Sequence, residues 1–340
     1  MKLPEKIGRQ TVKLTDSPSI ISSAGVVGKK EGEGPLGGEF DRLFEDGRMN
    51  EDSWEKAESA LQKYAIETAI KKANKMPKDI DIVLAGDLLG QSMGTTFGIR
   101  DLGIPFVGLY GACSTMALSL ATASLLVDSG AVNMAVAATS SHFCSAERQF
   151  RLPLEYGGQR PPQAQWTATA SGAAVIGKDE GKVTAEYVTY GKICDLGITD
   201  ANNMGAAMAP AAADTIAMHL SETGRSASDY DCIVTGDLGA VGTKLLYELL
   251  EKEHGLDIAG RHKDCGLMIY DLNDRDVNSG GSGCGCSGAV VCTHFMRRLS
   301  SGELDKILFV GTGALLSQLS PLQGESIPSI AHAVVLKGGK

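Results

Sequence analysis

Residues 79–88 read DIDIVLAGDL and residues 229–238 read DYDCIVTGDL. Both hold D-x-D, a short apolar run and then G-D-L, and the two copies stand 150 residues apart (229 − 79). The same parts recur around each copy in the same order. A helix-like stretch precedes it, at 54–75 in one half and 210–222 in the other. Downstream, Ala112-Cys113-Ser114 opens a helix that ends near Ser129-Gly130 and leads into a strand at 134–138. In the second half Gly285-Cys286-Ser287 opens a helix that ends near Ser301-Gly302 and leads into a strand at 307–310. Alternating strands and helices predict mainly parallel sheets covered by helices. The repeat divides the chain into halves at 1–178 and 179–340.

The two downstream helices are unusual in carrying almost no charge. Residues 112–127 have none, and 286–296 have only His294. A helix that is apolar or small all round must be covered on every side. The expectation is that these two helices pack together between two sheets, with the charged 54–75 helix outside. That is an α/β fold layered α/β/α/β/α, with two mainly parallel sheets.

Composition excludes several classes. The 340 residues make roughly two units of about 150. With 43% hydrophobic and 21% charged residues the chain reads as globular. A formal charge of −9 argues against nucleic acid or an anionic lipid surface as general partners. The uncharged stretch 112–127 falls short of the roughly 20 residues of a membrane span. MKLPEKIGRQ has no apolar core, so it does not read as a secretory signal, and the eight cysteines read as free thiols of a soluble protein.

Outside the repeat, residues 1–30 carry six basic and two acidic residues, whereas 31–58 carry ten acidic and three basic ones. Only 19–27 looks like a strand there, and 28–52 reads as an ordered surface loop. Residues 141–166 form a long irregular insertion, the kind of loop that in compact proteins is usually functional.

Cys113 sits between an expected strand at 104–110 and the uncharged helix. A helix start offers unpaired N–H groups and partial positive charge, which favour a thiolate nucleophile. The alternative is a small residue filling a tight corner. If the repeat makes a pseudo-twofold axis, the helix starts at Cys113 with Ser114 and at Cys286 approach one another, forming two anion sites on one cavity. His142, Arg148, Arg151 and Arg160 could donate to a carboxylate, and Tyr156 and Trp166 could stack on an aromatic ring. Asp237, Cys284 and Cys286 complete the candidate ligand-binding set, although Asp87 and Asp237 are repeat-equivalent and also suit turn caps. Gly283–Gly288 spells G-x-G-x-x-G without a strand leading into it, and Cys284, Cys286 and Cys292 lack a second pair at zinc spacing. Neither a cofactor nor a metal is therefore expected.

Gly111-Ala112-Cys113-Ser114-Thr115, the small-residue helix after it and the strand into Ala138-Thr139-Ser140 resemble the nucleophile region of the thiolase and ketoacyl-synthase III superfamily. Longer strings resemble the stage V sporulation protein AD family of the SpoVA group. They are Glu31-Gly-Glu-Gly-Pro-Leu-Gly37, Glu51-Asp-Ser-Trp-Glu55, Glu155-Tyr-Gly-Gly-Gln159, Met208-Ala-Pro-Ala-Ala-Ala-Asp214, Asp264-Cys-Gly-Leu-Met-Ile-Tyr270, Gly311-Thr-Gly-Ala-Leu-Leu-Ser317 and Glu325-Ser-Ile-Pro328.

The superfamily resemblance implies a thiolase-like duplicated fold and a cysteine paired with a His and an Asn. Here Gly236 takes the His place and Cys284 the Asn place. Losing one such electrophilic helper costs about a hundred- to a thousandfold in rate, so the resemblance implies a scaffold turned from catalysis to binding. The SpoVA resemblance implies that the ligand is dipicolinic acid, free or as its calcium chelate, taken up into the developing spore. It also implies other SpoVA membrane proteins as partners, a place on the cytoplasmic side of the spore inner membrane, and a homodimer through the strand at 134–138. The competing expectation is an active acyltransferase or condensing enzyme using Cys113.

Overall fold

The computed structural model describes residues 3–150, 160–178, 181–274 and 276–339. One sheet path runs through ten strands: His262–Asp264, Cys232–Thr235, Lys306–Ala314, Ser329–Lys337, Val183–Tyr190, Ser19–Gly28, Ala170–Gly177, Met134–Ser141, Ile82–Gly86 and Phe106–Gly108. Its two halves have matching order and direction. Ile82–Gly86 is parallel to both its neighbours, and so is its repeat mate Cys232–Thr235. In each half the two remaining strands run antiparallel. The expected mainly parallel sheets are thus two mixed half-sheets. Parallel order holds among the strands linked through helices, and it ends where the chain returns through 142–169 and 315–328. Along this path the halves meet where Val183 pairs with Ile20 and Thr184 with Ser19, and Thr11–Lys13 of the first half also pairs with Tyr187, Val188 and Thr189.

The layer order is α/β/α/β/α. In the middle lie Thr115–Asp128, packed on strands of both half-sheets, and the helix that starts at Cys284 and ends at Ser301 after a wider π turn at Val291–Phe295. Small residues let this layer sit close to the sheets. A Cβ on Gly172 would lie 2.2 Å from the carbonyl of Gly288, so a glycine at this position allows helix and strand backbones to touch. The outer helix Trp54–Lys72 starts where the Ser53 side chain accepts from Lys56 N–H. It buries Ala57, Leu61, Ala65, Ile66 and Ala69, a spacing of three and four that turns one face to the sheet. On the other side Met204–Thr223 and Gly239–Leu249 cover the second half-sheet.

The expected loop at 28–52 contains the short helix Lys29–Gly32 and the strand Arg42–Phe44. The insertion read as irregular begins with a helix, Phe143–Phe150. No helix among the described residues is long and apolar enough to cross a membrane. Met134–Ser141 lies inside the sheet with a strand on each side, so it offers no free edge to a second copy. The free edge of that half is Phe106–Gly108, where Val107 is 41% exposed.

Candidate functional site

A sharp turn presents Cys113. Ala112 stands at φ 49°, in the left-handed region that costs a non-glycine residue about 1–2 kcal/mol. Strain of this kind tends to persist where a side chain must be aimed. Cys113 then faces a cavity of about 50 Å³ lined by Tyr110, Glu147, Phe150, Thr167, Ser282 and Leu316, among others. That volume holds a water or two, well under the roughly 300 Å³ of small ligand sites. A cleft of about 530 Å³ adjoins it and shares Leu88, Tyr110, Phe150 and Leu316 with it. The remaining residues along the cleft, including Gly90, Gln91, Gln149 and Ser317, carry no charge.

The thiol is 9% exposed and lies close to the buried carboxylate of Asp237. Burial pushes its pKa well above the ordinary thiol value, and the Asp237 charge pushes it further. The helix start expected to favour a thiolate is outweighed. The helix itself begins at Thr115, and the N–H groups of Ser114 and Thr115 are already bonded to Gly111 and Ala112 carbonyls.

Asp237 is the centre of the arrangement. Its Oδ2 accepts from Gly283 N–H at 2.8 Å and Ser282 Oγ at 3.2 Å, and its Oδ1 accepts from Thr312 Oγ1 at 2.8 Å. Burial raises its pKa, and these donors oppose the rise. The expected pair of open anion sites is therefore not what the structure provides. At the second inner helix Gly283 N–H is held by Asp237, Gly285 N–H by Ser141 Oγ, and Cys286 N–H by the Gly283 carbonyl.

The other expected residues divide. Cys284, expected at the amide place, lies in one buried cluster with Cys113, Leu88 and Ala146, and its Sγ donates to the Ser140 carbonyl at 2.9 Å. Cys286 packs in the main core instead, against Gly281 and close to Cys265, and does not line the cavity. Ser114 closes its own turn by donating to the Gly111 carbonyl at 2.6 Å. His142 is a satisfied structural histidine: Nε2 donates to the Gly47 carbonyl at 2.8 Å, Nδ1 accepts from Cys144 N–H at 3.2 Å, and burial lowers its pKa. Arg148 is half-exposed, away from the cavity, and paired with Glu55. Arg151 and Tyr156 lie outside the described residues. Arg160 pairs with Glu147 at 2.8 Å, and Trp166 stacks on Phe143 with ring centroids 4.0 Å apart.

The sequence reading passes over two acids. Glu147 lines the cavity from helix Phe143–Phe150, a helix signalled by Phe143, Ala146 and Phe150 at three- and four-residue spacing. Glu58 is buried from the outer helix against Asp87, accepting from Ser145 Oγ at 2.6 Å and Ser140 Oγ at 3.2 Å. Burial, then the charge of Asp87, raises its pKa to about 8. Asp87 holds the loop beside the cleft, accepting from Leu89 N–H at 2.7 Å and Thr95 N–H at 2.6 Å. In the second half this capping falls to Asp264, which accepts from Leu238 N–H at 2.8 Å and Gly239 N–H at 3.0 Å. Among the described residues no group of three His, Cys, Asp or Glu is placed to hold a metal ion.

Comparison with known proteins supplies a family and a fold. Residues 8–337 match the family described as stage V sporulation protein AD (SpoVAD). The chain is 48% identical over 331 residues to the stage V sporulation protein AD of Bacillus subtilis (strain 168), covering 97% of both chains. Among solved structures it resembles 3-oxoacyl-[acyl-carrier-protein] synthase III from Aquifex aeolicus VF5, with TM-score 0.56 and 12% identity over 94% of this chain and 99% of that one. It also resembles human mitochondrial 3-ketoacyl-CoA thiolase, with TM-score 0.56 and 11% identity over 96% and 99%. The fold is thiolase-like, as those neighbours are.

Proposed function

We propose a non-catalytic, ligand-binding role for this chain, which belongs to the stage V sporulation protein AD family. It is a sporulation protein on a thiolase-like fold. The ligand is dipicolinic acid, and the role is to serve its uptake into the developing spore, as the SpoVA resemblance implies.

The observation that carries the non-catalytic reading is the buried Cys113 thiol facing the buried carboxylate of Asp237. A nucleophilic cysteine needs a base or cation that favours the thiolate. This one faces a carboxylate, which does the opposite. Gly236 and Cys284 stand where the enzymes have a His and an Asn, and Cys284 spends its S–H on the Ser140 carbonyl. Nothing in that pair stabilises an oxyanion as an imidazole or amide would.

The ligand enters through the uncharged cleft and reaches the cavity by displacing Tyr110 or Phe150, which the two spaces share. The cleft's 530 Å³ is within the range of small-molecule sites. Membrane partners from the SpoVA group place the protein at the cytoplasmic face of the spore inner membrane. A homodimer forms through the free edge Phe106–Gly108.

Isothermal titration calorimetry with dipicolinate, with and without calcium, and with pyridine monocarboxylates tests the reading. Saturable binding selective for the 2,6-dicarboxylate supports it, and an absence of heat with every pyridine acid ends it. Intact mass after incubation with acyl-CoA panels tests the enzyme alternative. A stable adduct that Cys113→Ser abolishes would establish acyl transfer.

A further inference from the structure

We propose that Arg160 is the residue that recognises a ligand carboxylate at this site, and that Glu147 occupies its place in the ligand-free protein. The assignment rests on the binding reading above and names how that site tells a carboxylate from other groups.

The charges around the cavity are one-sided. Glu147 lines it directly, Asp237 adjoins it through Cys113 and Ser282, and Asp87 lies behind, beside a Glu58 that burial keeps protonated near neutral pH. Among the described residues, Arg160 is the one cation whose ion pair reaches a residue lining the cavity. Among the described residues, the cation that an anion entering here can reach through a lining residue is that fork.

Arg160 is held ready. Its Nη2 lies 2.8 Å from Glu147 Oε2, and its Nη1 donates to the Gln165 carbonyl at 3.0 Å. The guanidinium sits 5.2 Å from the ring centroid of Phe143 and 5.0 Å from that of Trp166, against the stacked pair the two rings form. A planar cation fixed this way loses little further freedom on binding, and it matches carboxylates in a way an ammonium does not.

Glu147 presents the same chemical group as a ligand carboxylate. It is 2% exposed, and its Oε1 accepts from Thr167 Oγ1 at 3.0 Å. When a ligand carboxylate takes over the guanidinium, Arg160 exchanges one carboxylate for another, and Glu147, which keeps the Thr167 hydroxyl, gives up that cation, which is the cost the ligand must overcome. A solute lacking a carboxylate would break the pair without replacing it, which leaves a buried charge uncompensated and is strongly unfavourable. The pair therefore acts as a filter for carboxylates, with Glu147 competing against the ligand.

Calorimetric titration of the full chain with dipicolinate tests this in four forms: wild type, Arg160→Gln, Arg160→Lys and Glu147→Gln, each checked by its melting curve. Arg160→Gln should weaken binding at least tenfold, and Arg160→Lys should recover little because it lacks the fork. Glu147→Gln should tighten binding about three- to tenfold by removing the competitor, an effect opposite to that of general damage. Unchanged affinity in Arg160→Gln, or unchanged or weaker affinity in Glu147→Gln, overturns the assignment. If Arg160→Gln does not fold, the Glu147→Gln result decides alone. Wild type that binds no dipicolinate ends the binding reading, whereas wild type that binds alongside an unaffected Arg160→Gln ends only this one.

Discussion

Replacing Glu58 by Gln should flatten the pH dependence of stability. Glu58 is fully buried beside Asp87, and the other titratable group close to it is the Cys284 thiol, so no cation offsets a second negative charge there. With a pKa of about 8, against 4.5 for a free glutamate, the folded protein holds a proton that the unfolded chain has released. Stability from this group is complete below about 4.5 and is lost as pH rises toward 8. One proton corresponds to roughly 1.4 kcal/mol per pH unit, so the two units from pH 6 to 8 should remove about 2–3 kcal/mol. Gln has the shape of the neutral acid. Its amide oxygen can accept from one of the Ser140 and Ser145 hydroxyls, with its NH2 facing the other, and it does not titrate. Urea unfolding followed by the fluorescence of Trp54 and Trp166 at pH 6, 7 and 8 measures this directly. The wild-type free energy should fall more steeply than that of Glu58→Gln, leaving the variant the more stable at pH 8. Parallel curves for the two proteins would refute the reasoning, because they would mean that Glu58 titrates alike in both states.

Cys113 should react with iodoacetamide at pH 7.5 at least tenfold more slowly than the half-buried Cys144, Cys194 and Cys232, because both its burial and Asp237 disfavour the thiolate. Asp237→Asn should narrow that gap, and peptide mass spectrometry of labelling rates reads both outcomes; equal rates in wild type and variant contradict the role given to Asp237. Val107→Lys should shift the sedimentation mass from dimer to monomer if copies join at the edge Phe106–Gly108. A variant that sediments like wild type moves the contact elsewhere.

Much of the architecture is legible in the sequence because the D-x-D…G-D-L repeat marks two equivalent strands and because two helices without charge can only be interior. The antiparallel strands Ala170–Gly177 and Ser329–Lys337 are harder to see. They are buried on both faces, so they lack the alternation that identifies a half-exposed strand. At the site, Cys113 follows from the start of the uncharged helix and Cys284 from the superfamily resemblance, whereas the repeat points to Cys286, which packs in the core. The part played by each acid is not legible in this way, because burial of a carboxylate is decided by donors far away in the chain. Glu58 depends on Ser140 and Ser145, 82 and 87 residues distant. His142 reads either as a ligand donor or as a structural histidine, and the Gly47 carbonyl, 95 residues away, decides for the second.

Asp87 and Asp237 are the same position of a doubled design, yet they hold different posts. In the first half one aspartate must stay at home to hold the loop after its strand. In the second half a neighbour from the next strand, Asp264, covers those amides, and Asp237 is released to face a sulfur contributed by the opposite half. Duplication gave this chain a spare carboxylate, which adds to the effect of burial in holding the Cys113 proton in place. If the proposed loss of catalysis is right, returning an imidazole alone would not restore reactivity, because the redundant acid would still face the sulfur.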